Sequence, residues 1–254
     1  MGDLSKMLLV GGVIAGFNRE VGEIGMMATV KKMLVRTKTN LEIRYGQEET
    51  KKILEKGPVI VVVNHPHQSD VMMIMAALPN RKDFFMIAQS TLMGLGRKID
   101  RHIIPVFINE KQVAMKIWKK WKLEIFTKLK SPSRMPREME KAKNRESIAL
   151  ASKKLDLGQM VIIFPAGGSE NGGWLAGVGY LVKGAKNPGL KIVMANITGS
   201  SSWDYFRLIP GISGLLPTIK VRFSAPIGVE ELEENEAKEV AWALEKRYRK
   251  WLED

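Results

Sequence analysis

Two of the chain's three histidines, His65 and His67, stand at the end of the apolar run Val59-Ile60-Val61-Val62-Val63, just after Asn64. Imidazole is the side chain best suited to moving protons near neutral pH. Asp70 follows, and a carboxylate beside an imidazole can fix its tautomer and balance the imidazolium that forms. On one continuous helix this spacing would turn the two side chains about 140° apart. Pro66 disfavours helical backbone at His65 in any case. The spacing therefore places His65 on a strand-to-helix turn, with Ser69 or Asp70 opening the next helix as cap or first-turn residue. From there the carboxylate reaches back to one ring nitrogen. The other nitrogen faces outward, where it can take a proton from a hydroxyl. The plainer reading makes Asn64, Ser69 and Asp70 turn and cap residues around a structural histidine. Two histidines, an amide and a carboxylate at the end of one buried strand favour the functional one.

A second loop has a different chemistry. Phe164-Pro165-Ala166-Gly167-Gly168-Ser169-Glu170 follows the apolar run Met160–Ile163. Gly167 and Gly168 let backbone N–H groups approach a ligand closely, and such amides can hold an oxyanion or a phosphate. No Gly-Lys-Ser/Thr follows, so this is not a P-loop. It is not a Gly-x-Ser-x-Gly elbow either, which argues against Ser169 as a nucleophile. A plain glycine turn is the competing reading. His65, His67 and Asp70 also form a His-x-His-x-x-Asp cluster, which allows a mononuclear metal site of the hydrolase kind. With only His102 left in the chain, a histidine-rich dinuclear site cannot be built.

Short apolar runs alternate with helical stretches from residue 41 onward, the pattern of an α/β domain. Strands are predicted at Leu41–Tyr45, Val59–Val63, Phe84–Ala88, Ile103–Ile108, Met160–Phe164, Lys191–Ile197 and Ile219–Phe223. Val59–Val63 and Val161–Phe164 are continuous rather than alternating, as in strands covered on both faces. Helices are predicted at Val71–Leu78, Gln112–Lys130, Glu138–Leu155, Leu175–Lys183 and Glu236–Leu252. The expected fold is a single α/β domain over residues 41–254, with a mostly buried mixed sheet of about seven strands flanked by helices. Residues 1–40 form an N-terminal helical segment ahead of it. Ligands of such sheets bind beyond the carboxyl ends of the strands, so the two polar loops would line one crevice if their strands are neighbours.

Net charge is +13 and there is no cysteine, which excludes disulfides, thiolate nucleophiles and zinc–thiolate sites. Residues 111–154 hold 14 Lys and Arg against 4 Glu, a net of +10, together with Trp118 and Trp121. Lys/Arg beside Trp is a membrane-interface signature, and no RNA-binding aromatic motif or zinc finger is present. A lipid surface or anionic ligand is expected, and no nucleic acid. Ser131–Pro136 breaks this basic hairpin, residues 111–155, and is the most exposed insertion, a candidate lid. The apolar run Met7–Phe17 is too short for a span, which needs about 20 residues. It also lacks a basic start and a cleavage site. Two short helices lying in a membrane interface are expected over residues 1–38; a helical cap packed on the domain is the alternative.

Asn64-His65-x4-Asp70 after a strand, with Phe164-Pro165-x-Gly167 farther along, resembles the glycerolipid acyltransferase superfamily, the bacterial 1-acylglycerol-3-phosphate and lysophospholipid acyltransferases. The resemblance covers roughly residues 41–230. Leu41–Gly46, Ile103-Ile104-Pro105-Val106, Ile192-Val193 with Ile197, and Ala225-Pro226-Ile227 look like its other blocks. It implies that His65 deprotonates an acceptor hydroxyl, that Asp70 holds His65, and that the oxygen attacks the thioester of acyl-CoA or acyl carrier protein. No cofactor is implied beyond that donor, and the acceptor would be a lysolipid. Asn64, Ser69, Arg97, Arg101, Gly167, Gly168 and Ser169 are the expected substrate-binding residues. Residence on the cytoplasmic face of a membrane, held peripherally, is the corresponding expectation.

The chain departs from the pattern in three blocks. Ala166, Gly167 and Gly168 stand where the family usually has Glu and then Gly-Thr. Phe107, Ile108 and Asn109 stand where an Arg often follows Ile-Pro-Val, and Met194 replaces a proline. The acceptor is thereby open between lysophosphatidic acid, another lysolipid and a glycolipid, with Arg97, Lys98 or Arg101 as substitute phosphate ligands. Two other function classes stand beside acyl transfer: a metal-dependent hydrolase, and a lipid- or nucleic-acid-binding member of the fold that has lost the chemistry.

Overall fold

A computed structural model describes residues 2–65, 67–107, 135–167, 173–208, 213–232 and 236–253, with backbone alone for residues 2–10, Tyr205 and Leu208. The expected helix Gln112–Lys130, with Trp118, Trp121 and most of the basic hairpin, lies outside the described residues.

The strands are β1 (Leu41–Tyr45), β2 (Val59–Val63), β3 (Phe84–Gln89), β4 (Ile103–Val106), β5 (Met160–Ile163), β6 (Lys191–Thr198), β7 (Ile219–Phe223) and β8 (Ile227–Gly228). The helices are α1 (Gly2–Ile24), α2 (Met26–Arg36), α3 (Glu48–Lys56), α4 (Asp70–Ala77), α5 (Arg97–Asp100), α6 (Arg137–Asp156), α7 (Gly177–Gly184) and α8 (Ala237–Glu253). Among the described residues one mixed sheet of eight strands runs β1-β7-β6-β2-β5-β3-β4, with β8 also on β6. The strand beyond the expected count comes from a break after β7. Ser224 donates its N–H to the Met194 carbonyl and accepts the Met194 N–H on its hydroxyl. The chain then turns at Ala225-Pro226 and Ile227 rejoins the same edge of β6, opposite Ile192.

β2 sits centrally, parallel to both β5 and β6. Its alternate side chains enter two cores. Val59, Val61 and Val63 pack with Met73, Ile74 and Leu78 and with Met27, Val30 and Leu34 of α2. Ile60 and Val62 pack with Ala151 and Leu155 of α6, Leu181 of α7 and Leu244 of α8. A strand covered on both faces needs a continuous apolar run, and that is what its sequence shows.

Two predicted elements are cut back at one end for identifiable reasons. β4 stops at Val106 because Asn144 of α6 takes over the next peptide. Its amide oxygen accepts the Phe107 N–H at 2.7 Å and its amide nitrogen donates to the Phe107 carbonyl at 2.8 Å. α7 begins after Leu175 because the Leu175 N–H is committed to Pro165 O and the Trp174 N–H to Glu245.

α2 spends its apolar stripe on the domain itself: Met26, Met27, Val30 and Leu34 are all buried. Among the described residues no helix is long and apolar enough to cross a membrane.

Candidate active site

The carboxyl ends of β2, β5 and β6 lie side by side, so the two polar loops share one edge of the sheet. At the end of β2 the chain is clamped by Asn64. Its amide oxygen accepts the Ile197 N–H at 2.7 Å and its amide nitrogen donates to the Ile197 carbonyl at 3.0 Å. Asn64 therefore extends the β2–β6 ladder by one side chain, and both ends of its amide are engaged with backbone.

The turn that follows brings the pair together. Asp70 opens α4, with Ser69 as its cap. The Asp70 carboxylate is fully buried, and its Oδ2 accepts the His67 N–H at 2.6 Å. The same oxygen lies 3.7 Å from His65 Nδ1, while the His65 side chain keeps 23% of its surface exposed. His65 Nδ1 and Asp70 Oδ1 are both buried with no hydrogen-bond partner. The two groups are thus one small rotation, about 0.8 Å, from a hydrogen bond of ordinary length. Apo catalytic pairs are commonly long in this way and tighten around substrate. With the Nδ1 proton directed at Asp70, Nε2 is the nitrogen left with a lone pair. The Phe164 ring, from the end of β5, lies 4.8 Å from the imidazole centroid and walls one side of it.

Ser69 has a partner that spacing could not reveal. Its hydroxyl donates to Asp204 Oδ2 at 2.6 Å, across from the turn after β6. Asp204 also accepts from Arg207 Nε at 2.8 Å and from the Ser201 N–H at 3.0 Å. Arg207 donates on to Pro217 O at 2.7 Å. Both members of the Asp204–Arg207 pair are 3% exposed. The signal available in sequence was an acid and a base at i, i+3 inside an otherwise uncharged stretch.

Gly167 is in the left-handed region, φ 56°, which explains a glycine there. Its N–H donates to Phe164 O at 3.0 Å and closes the turn on itself. Gly168 and Ser169 lie outside the described residues. Arg97 and Arg101 are exposed on and beside α5, which packs against α1. Arg101 is not brought to the histidine turn. It precedes β4, level with the start of β3, and through β5 with Val59 at the start of β2. Six residues of strand separate that level from His65, roughly 20 Å. Arg101 Nε instead approaches Nε2 of His102 at 3.3 Å. His102 is buried against Phe84, and burial holds its pKa below the usual 6.5. Among the described residues no three ligating side chains converge on a point that would hold a metal ion.

The family model of the acyltransferases matches residues 42–198, more than half of the chain, and both polar loops fall inside it. The chain belongs to the acyltransferase family. Its fold is that of the 1-acyl-sn-glycerophosphate (LPA) acyltransferase PlsC from Thermotoga maritima, with a TM-score of 0.50 at 18% identity over 96% of this chain and 89% of that one. No curated protein sequence matches the chain significantly. An imidazole with a buried carboxylate beside it stands at the carboxyl end of the central strands.

Proposed function

We propose that this acyltransferase moves a fatty acyl group from acyl-CoA or acyl carrier protein to the hydroxyl of a lysophospholipid or related glycolipid acceptor, with His65 as general base and Asp70 as its orienting partner. The observation that carries the proposal is the 3.7 Å approach of His65 Nδ1 to the buried Asp70 carboxylate at the carboxyl end of β2. The acceptor hydroxyl gives its proton to His65 Nε2 as its oxygen bonds to the thioester carbon. The tetrahedral intermediate then expels the thiolate, which takes the proton back from the imidazolium. An ester and a free thiol result, and Asp70 remains a carboxylate throughout. No side-chain thiol is needed as a carrier, in keeping with a chain that has no cysteine. The loss of the family's usual Glu at Ala166 favours an acceptor other than lysophosphatidic acid. Action at the cytoplasmic surface of a membrane fits both the net charge of +13 and a lipid acceptor.

The test is thiol release from acyl-CoA across a panel of lysolipid and glycolipid acceptors. His65→Ala should lower turnover by about 10²–10⁴-fold with the fold intact by circular dichroism. Undiminished turnover in that variant would end the proposal.

A further inference from the structure

β6 and β7 are antiparallel neighbours, with Thr198 opposite Lys220. About two to five residues suffice to close such a hairpin. The chain instead uses residues 199–218, with short helical turns at Asp204–Leu208 and Ser213–Leu215, far more than closing the hairpin requires. Its composition is as unusual as its length. In a protein with 26% charged residues, residues 199–218 contain only Asp204 and Arg207. Those two neutralise each other inside, and Asp204 is tied to Ser69 of the histidine turn. The described surface of this connection is uncharged, and beside Ser202 and Thr218 it presents three large apolar side chains: Trp203 is 55% exposed, Phe206 41% and Leu215 85%. The Trp203 and Phe206 rings stack with centroids 5.7 Å apart. The Ser213 hydroxyl is 2.8 Å from that of Thr39, which brings the end of α2 alongside. There Val35 is 77% exposed and Lys38 is exposed.

We infer that the β6–β7 connection, through Trp203, Phe206 and Leu215 with Val35 and Lys38 at its rim, docks the enzyme on a lipid surface and holds the mouth of the His65 site against it. The inference rests on the acyl-transfer reading for the identity of the site. Its occupant is a bilayer interface for three reasons. An uncharged aromatic and aliphatic centre with a basic rim suits the headgroup boundary, where Trp and Phe enter and Lys meets anionic lipid. The patch belongs to a molecule of charge +13, which such a surface attracts. It also adjoins the turn where a hydroxyl would be acylated, so a lipid acceptor need leave the bilayer only by its head. The buried Asp204–Arg207 pair then has a purpose in this surface: it fixes the connection to Ser69 without presenting a charge to the lipid.

The test compares the wild type with the triple variant Trp203→Ser/Phe206→Ser/Leu215→Ser and with Leu157→Ser. Leu157 is 72% exposed and precedes β5, at the far end of the sheet. Co-sedimentation with phosphatidylcholine vesicles, with and without phosphatidylglycerol, reports docking. Turnover on a short-chain acceptor below its micelle concentration reports chemistry. The triple variant should bind vesicles at least about tenfold more weakly, while its turnover on the monomeric acceptor stays within about twofold of wild type. Leu157→Ser should behave as wild type in both. Leu215→Ser alone, at the most exposed position, should weaken vesicle binding about threefold even if the triple variant proves unstable. Equal vesicle binding by wild type and triple variant overturns the inference. So does a wild type that binds neither vesicle, or a dimer in sedimentation velocity that only the triple variant loses. Failure of the acyl-transfer reading appears separately, as undiminished turnover in His65→Ala.

Discussion

Ser69 joins the histidine turn to the rest of the fold through one hydrogen bond, and what lies behind that bond is buried charge. Removing the Asp204 carboxylate would strand the Arg207 guanidinium, whose Nη1 already lacks a partner. An uncompensated buried charge costs about 3–5 kcal/mol. Asp204→Ala should therefore lose stability in that range by urea denaturation, and Ser69→Ala about 1–3 kcal/mol. A loss under about 1 kcal/mol for Asp204→Ala would show that Arg207 finds water or another acceptor. His102 makes a pH prediction. Burial is the main cause that lowers its folded-state pKa below 6.5, so the unfolded chain takes up the proton first as pH falls. Its contribution is constant above that value and turns against the fold on the way down to the folded pKa. Melting temperatures at pH 7.5 and 5.5 should differ less in His102→Asn than in wild type, provided the amide keeps the 3.0 Å bond to Phe84 O. The pairing of His65 with Asp70 was legible from spacing because it is local. Ser69 with Asp204 was not, because it depends on β6 lying beside β2.

At the scale of elements the same distinction holds. The central strands could be read because burial on both faces forces an uninterrupted apolar run. The end of β4 could not, because Asn144 supplies from α6 the hydrogen bonds that a neighbouring strand would have made. Asn64 does the same for β6, so two asparagines act as single-residue extensions of the sheet. Asn64→Ala leaves the Ile197 N–H and C=O without those partners, and should cost about 1–3 kcal/mol. Because the clamp sits immediately before His65, the same variant should lower turnover by more than its stability loss explains. Equal activity per folded molecule would show that the turn holds its shape without the clamp. The contact of α7 with α8 has even less tolerance. A Cβ at Gly179 would collide with the carbonyl oxygen of Ala237. Gly179→Ala should destabilise by about 3 kcal/mol, seen as a lowered urea midpoint at unchanged m-value.

At the scale of the molecule, the sheet sorts its tasks by end. The starts of the strands are stapled by Arg81, buried, which reaches the Leu54, Gly57 and Gly158 carbonyls and Asp83. The opposite end carries the histidine turn, the glycine loop and the long apolar connection. Helix α2, with Val21 of α1, belongs to this frame as a structural layer. Composition left two readings open, segments lying in an interface and a cap packed on the domain, because a helix that is apolar on one face reads alike whether it meets lipid or α4. The two cases predict opposite results on deletion. If residues 1–36 served only to touch a membrane, the remainder would stay folded without them. Val21, Met26, Met27, Val30 and Leu34 are instead all buried in the core that holds Val61 and Ile74. Burial of such side chains is worth about 1.5–3 kcal/mol each, and together they match the whole stability of an ordinary domain, about 5–15 kcal/mol. The chain lacking residues 1–36 should therefore fail to unfold cooperatively on heating and should aggregate through the bared faces of α4 and α5. A sharp melting transition within a few degrees of wild type would mean that α2 contributes little to the core it lines.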